Sequence, residues 1–200
     1  PLPFQDPGRL VRAYTRNETH PKFPINPNDF RDARSRMRSF ESFAAYVHRD
    51  LQLSGTGEPV RLLGFAVTAG YFHVLGLKPA MGREFNSGDE LPGRGNVVVI
   101  SDRIWRDTLH SAPDVLDRTI RLDEEPYTIV GVMPPGVQHP GNAYHAVIYG
   151  DIVDAWIPFT FNSPEDRGSH YLDAIARLRP GVTLGQAQGE FLATMQQIAR

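Results

Sequence analysis

The chain has 200 residues, 40% of them hydrophobic, a formal net charge of −2 and no cysteine. That is enough apolar material for a core, in one domain or two small lobes. The charge excludes the basic footprint that nucleic acid requires, and the missing cysteine excludes disulfide scaffolds and thiolate-held metals, without deciding between cytoplasm and periplasm.

Pro1–Gly8 is a proline-rich lead-in. Leu10, Arg12 and Tyr14 alternate with Val11 and Ala13, which predicts a strand. Asn17–Pro24 reads as a loop. Asn26-Pro27 reads as a helix N-cap followed by proline at the first helical position. Phe30, Ala33 and Met37 then recur at helical spacing, with Arg31, Arg34, Arg36 and Arg38 mostly on a solvated opposite face. Phe40, Phe43 and Tyr46 supply core bulk. Ala45–Leu53 and Val60–Val67 predict two strands joined by the turn Ser54–Pro59. Thr68–Gly76 predicts a short helix with Tyr71, Phe72 and Leu75 on its apolar face and Gly76 just past its end. Lys78–Gly95, rich in glycine and proline, reads as a passage between lobes.

Val97–Ile100 is a continuous apolar run, the mark of a strand buried on both faces. Ser101 caps the helix expected next, Asp102 favours its positive end, and Ile104, Trp105 and Leu109 pack it on the sheet. Arg118–Gly136 predicts a β-hairpin. Its first strand is Thr119–Leu122, its turn Asp123-Glu124-Glu125-Pro126, and its second strand Tyr127–Val132, stopped by Pro134-Pro135. Val137–Gly150 reads as an irregular loop. Ile152–Phe159 predicts a strand that Pro158 places at an edge or a terminus. Asn162–Ser169 is a second passage between lobes, and Tyr171–Leu178 a further strand. Thr183 and Gln186 form a capping-box pattern, and Leu184, Ala187, Phe191, Leu192, Met195 and Ile198 run on as one helical stripe that could dock on a partner helix but is expected to pack on its own sheet.

Little in the chain points to chemistry. Gly55 and Gly57 lack the third glycine, the lysine and the hydroxyl residue of a phosphate loop. There is neither a nucleophile elbow nor a zinc-binding helix motif. Of the seven histidines, His139, His145 and His170, with Asp151, are the set that could converge on a metal; scattered surface histidines are the plainer reading. Asp123, Glu124 and Glu125 at a turn tip read as solubility rather than acid–base machinery. Asn17-Glu18-Thr19 matches a glycosylation sequon of little weight. No catalytic residue, cofactor or metal is expected. No apolar run reaches the roughly 18 residues of a membrane span, and no secretion signal is visible; Pro1 and Arg200 read as cut ends of something longer.

Five pieces, VTAGYFHVLGLKPAMGREF (Val67–Phe85), VVVISDRIWRD (Val97–Asp107), DVLDRTIRLDEEPYTIVGVMPPG (Asp114–Gly136), AWIPF (Ala155–Phe159) and ARLRPGVTLGQAQGEF (Ala176–Phe191), resemble in order and spacing the MacB-like periplasmic core domain of ABC transporter permeases of the MacB and FtsX-like kind. The resemblance implies an α+β fold of two lobes: a porter-like lobe from residues 1–77 and 162–200, and a small α/β lobe, of the kind termed Sabre, inserted as 78–161. It implies a non-catalytic, extracytoplasmic domain of an inner-membrane protein that couples cytoplasmic ATP hydrolysis to periplasmic movement. The partners it implies are an ABC ATPase reached through the rest of the permease, a periplasmic adaptor or substrate protein, and a second permease copy; nucleic acid is not among them. The loop Gln138–Asp151 departs from the usual form, so no role is carried over to it. Two rivals remain open at this level: a stand-alone periplasmic ligand-binding module, and a small metal-dependent α/β enzyme using the His139/His145/His170 region.

Overall fold

The structure, a computed structural model, describes residues 4–16, 19–55, 57–141, 152–163 and 166–199. In chain order the elements are β1 Leu10–Ala13, α1 Pro27–Arg36, β2 Phe40–Ser54, β3 Val60–Val67, α2 Tyr71–Leu75, β4 Met81–Gly82, β5 Val97–Ile100, β6 Thr119–Leu122, β7 Glu125–Val132, β8 Ala155–Pro158, β9 Asp173–Leu178 and α3 Leu184–Ile198. The fold class is α+β, and the chain divides into two compact units. The first holds Pro1–Tyr46, Gly70–Leu77 and Phe161–Arg200; the second holds Val47–Ala69 and Lys78–Thr160. This differs from the expected division, which kept all of 1–77 together. The physical reason is strand pairing: β3 pairs with β8, and the end of β2 pairs with β6, so Val47–Ala69 is built into the second unit.

In the first unit, β9 lies between β1 and the opening of β2 and is antiparallel to both. The register sets Ala13 beside Ala174 and Val11 beside Ala176 on one side, and Phe43 beside Ala176 on the other. Cross-strand partners share a face, and on this one the Phe43 ring meets Phe30 of α1 at 4.8 Å and Phe191 of α3 at 6.2 Å. Both helices therefore cover the same face of the sheet. The opposite face carries Tyr46, whose ring meets Tyr71 of α2 at 5.6 Å, and Arg177, whose Nε donates to the Val74 carbonyl at 2.9 Å.

The helix starts are as the residue types demand. The Asn26 side chain accepts from the Asn28 and Asp29 amides, and its Nδ2 donates to the Asp166 and Ser169 carbonyls, so one buried amide both caps α1 and holds the 166–169 loop. Thr183 and Gln186 close the expected capping box on α3. One turn later Glu190 accepts from the Arg38 and Ser39 amides at 2.7 and 2.8 Å, tying α3 to the segment between α1 and β2. The apolar stripe of α3 is only partly used. Ala187, Phe191 and Thr194 are buried, but Leu184 and Leu192 remain 62% and 39% exposed. The expectation that the whole stripe packs on its own sheet fails at these two leucines, which lie on the flank of the helix.

The second unit runs β3-β8-β5-β7-β4 in spatial order, with β6 paired to β7 and to the end of β2. β5 is parallel to β7 and antiparallel to β8, so it is enclosed on both sides, as its uninterrupted Val97–Ile100 run requires. Leu53, Leu62, Val98, Ile100, Leu122 and Ile129 lie at the centre of the core. Pro158 closes β8 at its last position, and the Pro134-Pro135 pair follows one residue after β7, both in line with the missing amide of proline. Ser101 Oγ accepts from the Ile104 amide at 3.2 Å, and the Leu109 amide reaches back five residues to Ile104, so the expected helix is a single widened turn rather than a full helix.

The hairpin is tighter than its sequence suggests. Glu125 and Pro126 belong to β7, leaving Asp123 and Glu124 as a two-residue turn with φ of 49° and 67°. Both central residues are left-handed, the geometry that matches the twist of the strands it joins. Asp123 is more than a soluble tip: its carboxylate accepts from the Gln52 amide at 2.8 Å and its own amide donates to the Gln52 carbonyl.

Two predictions follow from these contacts. Gly82 has φ 75°, and an added Cβ would stand 2.1 Å from the Val130 carbonyl oxygen, whereas Gly93, at φ 76°, has nothing within 4 Å. Gly93→Ala should cost about 1–2 kcal/mol of backbone strain and Gly82→Ala roughly 3 kcal/mol or more, compared by urea unfolding; equal losses would show that the β4–β7 approach is not as close as described. Burial works against the Glu190 carboxylate, but its bonds from Ser39 and Arg38 outweigh it and hold its pKa below the ordinary glutamate range. A depressed carboxylate contributes stability above its unfolded pKa and loses it as pH falls through the folded one. Glu190→Gln should thus be less stable than the parent at neutral pH, with the gap closing between roughly pH 5 and pH 3; a gap independent of pH would contradict it.

A groove beside the edge strand

Of the histidine set, His139 and His170 lie among the described residues, one in each unit. His139 belongs to the second unit, is wholly buried and stacks on Phe65 with ring centroids 4.1 Å apart and planes 12° from parallel. His170 belongs to the first unit, is partly exposed, leans on the Phe23 ring at 5.4 Å and has its Nδ1 2.9 Å from the Gly168 carbonyl. His145 and Asp151 lie outside the described residues, as does most of the loop Gln138–Asp151 and the Asn17-Glu18 part of the sequon. Among the described residues no three histidine or carboxylate side chains stand close enough to share a metal. The carboxylates that are buried have structural work. Asp154 accepts from the Leu63 amide at 2.9 Å and pairs with Arg103, and Asp89 takes a two-pronged pair from Arg83.

Among the described residues, a groove of about 720 Å³ opens in the first unit. One wall is β1 and its continuation, Val11 through Arg16; the other is the flank of α3. β1 stands at the end of the strand order, with β9 as its one strand neighbour among the described residues. Alternation places Val11 and Ala13 on the helix-covered face, where they share the groove with Leu184, Gln188, Leu192 and Met195 of α3. These four recur at steps of four, four and three, so they form one line down the helix. Among the described residues, this apolar flank and the outer edge of β1 beside it have no covering layer.

Charge lies at the rim. Arg12 and Arg16 come from the strand side, and the Lys22 ammonium sits 5.6 Å from the centre of the Tyr14 ring. Partial burial works against the Arg12 charge, but Tyr46, Tyr14 and Asp173 more than offset it, and its pKa is raised. Burial also drives the Tyr46 hydroxyl well above the ordinary tyrosine value, with Asp173 adding to it. Asp29, also in the lining, is held by Arg167, which bridges it to Asp32. Among the described residues that line the groove, no nucleophile, general base and oxyanion donor converge. The sequence showed both walls, as an alternating strand and a helical stripe, but not that they face one another. The one signal available was the width of the stripe, whose Leu184–Leu192–Met195 side exceeds what a single sheet-facing line needs.

Comparison with known proteins agrees with this fold. The chain is 28% identical over 160 residues to the macrolide export ATP-binding/permease protein MacB of Burkholderia pseudomallei, covering 78% of this chain and 23% of that protein. It thus spans under a quarter of that relative's length. Among solved structures, the periplasmic region of MacB from Actinobacillus actinomycetemcomitans superposes with a TM-score of 0.68 at 13% identity, covering 95% of this chain and 84% of that one. The extracellular domain of the ABC-type transporter YknZ from Gram-positive bacteria superposes with a TM-score of 0.65 at 12% identity, covering 95% and 94%. The family model of the MacB-like periplasmic core domain matches residues 2–194, and with the fold that accompanies it this chain belongs to that family.

Proposed function

We propose that this chain is the extracytoplasmic, periplasmic part of a MacB/FtsX-like ABC transporter permease, without chemistry of its own, which couples ATP hydrolysis on the cytoplasmic side to movement outside the membrane. The observation that carries the reading is the family match across residues 2–194. The division into two discontinuous units supports it: the first, with its paired helices on one face of a small sheet, would be the porter-like lobe, and the second the inserted Sabre-like lobe. Partners in this reading are the ATPase, reached through the remainder of the permease, a second permease copy, and an adaptor or substrate protein outside the membrane.

The physics asked of such a domain is modest. It must keep its shape under load and offer contacts whose strength differs between two states of the transporter. Buried carboxylate and amide ties such as Asp154 to Leu63 and Asn26 to Asp166 resist local unfolding without requiring a ligand. No helix among the described residues is long and apolar enough to cross a membrane. The membrane attachment in this reading comes from sequence outside these residues. The test is on the parent gene. An apolar span of about 20 residues should lie shortly before Pro1 and several more after Arg200, and a reporter fused within the domain should read as extracytoplasmic. A parent without spans, or a reporter on the cytoplasmic side, would sink the proposal.

A further inference from the structure

Two shielded polar atoms of the first unit have no hydrogen-bond partner among the described residues. One is Nη1 of Arg177, a residue only 3% exposed, and the other is Oγ of Ser42. Buried polar groups are ordinarily satisfied, so two leftovers in one region call for a common partner. Strand register brings them to one region. Ser42 on β2 is the direct cross-strand partner of Arg177 on β9, and cross-strand partners share a face of the sheet. This is the face opposite α1 and α3. The pairing steps from Phe40 to Ser42, which leaves Glu41 as the extra residue of a β-bulge beside them.

The surroundings favour a negative charge. Arg177 donates from Nε to the Val74 carbonyl at 2.9 Å and from Nη2 to the Gln5 carbonyl at 2.7 Å, and both acceptors are neutral. Among the described residues no carboxylate touches this guanidinium; Glu41 and Asp6 act on it only through space, and Arg9 opposes its charge. The two carboxylates that would repel an anion are themselves paired, since Arg9 donates to Glu41 Oε2 at 2.6 Å and to Asp6 Oδ2 at 3.2 Å. A cation buried without an ion in contact is costly, and the cost falls when one is bound. Nη1 can only donate, and a serine hydroxyl can turn its hydrogen to the same point, so the shared partner is an acceptor. Water would answer the hydrogen bonds but leave the charge. Shielding of both atoms restricts the partner to a small one.

We propose that Arg177 Nη1 and Ser42 Oγ together hold a monatomic anion of the chloride class between β9 and β2. The ion ties the two strands beside the bulge, where their ladder is interrupted, and makes part of the stability of the first unit depend on chloride. The site is built from β2 and β9 and does not rest on the transporter reading.

The experiment follows thermal unfolding of the chain in sodium chloride and in sodium gluconate at equal ionic strength. The melting temperature should be about 2–4 °C higher in roughly 0.5 M chloride. Ser42→Ala should lose that difference and reverse its rank: no less stable than the parent in gluconate, where it deletes an unsatisfied hydroxyl, and less stable in chloride. Ser42→Thr keeps the hydroxyl and should keep the chloride response, which separates loss of the ligand from damage to the strand. Crystals grown in sodium bromide should show an anomalous peak within hydrogen-bond reach of both Arg177 Nη1 and Ser42 Oγ. Equal melting temperatures of the parent in the two salts overturn the proposal, as does a chloride response that survives in Ser42→Ala. Absence of the bromide peak overturns it too, because the partner is then water. A peak without any chloride effect on stability marks an adventitious ion only, and overturns it as well.

Discussion

The burial of β9 is the constraint on which the first unit depends. All six of its residues are buried, and the strand has a partner along each edge. Such a strand normally carries only apolar side chains, yet this one carries Asp173 and Arg177. Burial, and then the nearby Arg9, hold the Arg177 pKa below the ordinary arginine value. What makes the position tolerable is backbone: the guanidinium donates to the Val74 carbonyl and, at 2.7 Å, to the Gln5 carbonyl. One side chain thus fixes α2 and the lead into β1 to the central strand. Removing it would leave two carbonyls without their donor rather than merely opening a void.

The same economy recurs in both units. Buried polar side chains are spent on backbone groups from distant parts of the chain, as with Asn26 and Asn28 in the first unit and Asp154 and Glu90 in the second, and the part-buried Glu190 and exposed Asp123 do the same. Among the described residues no three histidine or carboxylate side chains could hold a metal ion together. What the first unit leaves exposed beside its edge strand is apolar, at the β1 edge and the α3 flank.

Much was legible from the residues alone, because local chemistry dictated it. Asn26-Pro27 could hardly be anything but a helix start, Thr183 and Gln186 close a capping box by spacing, and the Val97–Ile100 run demanded two-sided burial. The hairpin was legible in kind but not in detail. Glu125 and Pro126 read as turn residues, and were drawn into β7 only because a two-residue turn at Asp123-Glu124 is held by Gln52 from another strand. The Asp123 carboxylate, taken for a solubilising tip, bonds across that contact for the same reason.

The sequence by itself determined most of the elements, the caps of α1 and α3, the α+β class and, through five ordered motifs, the family. Each of these depends on neighbours within a few positions or on the order of such segments. Only the tertiary structure decided that Val47–Ala69 joins the second unit, that His139 is stacked against Phe65 while His170 belongs to the other unit, and that Leu184 and Leu192 face an open strand edge. Those outcomes depend on which strand pairs with which across more than a hundred residues, as Leu10 does with Arg177. A periodic stripe shows that a helix has an apolar side; which part of that side is covered is settled by the strand that arrives, or does not arrive, beside it.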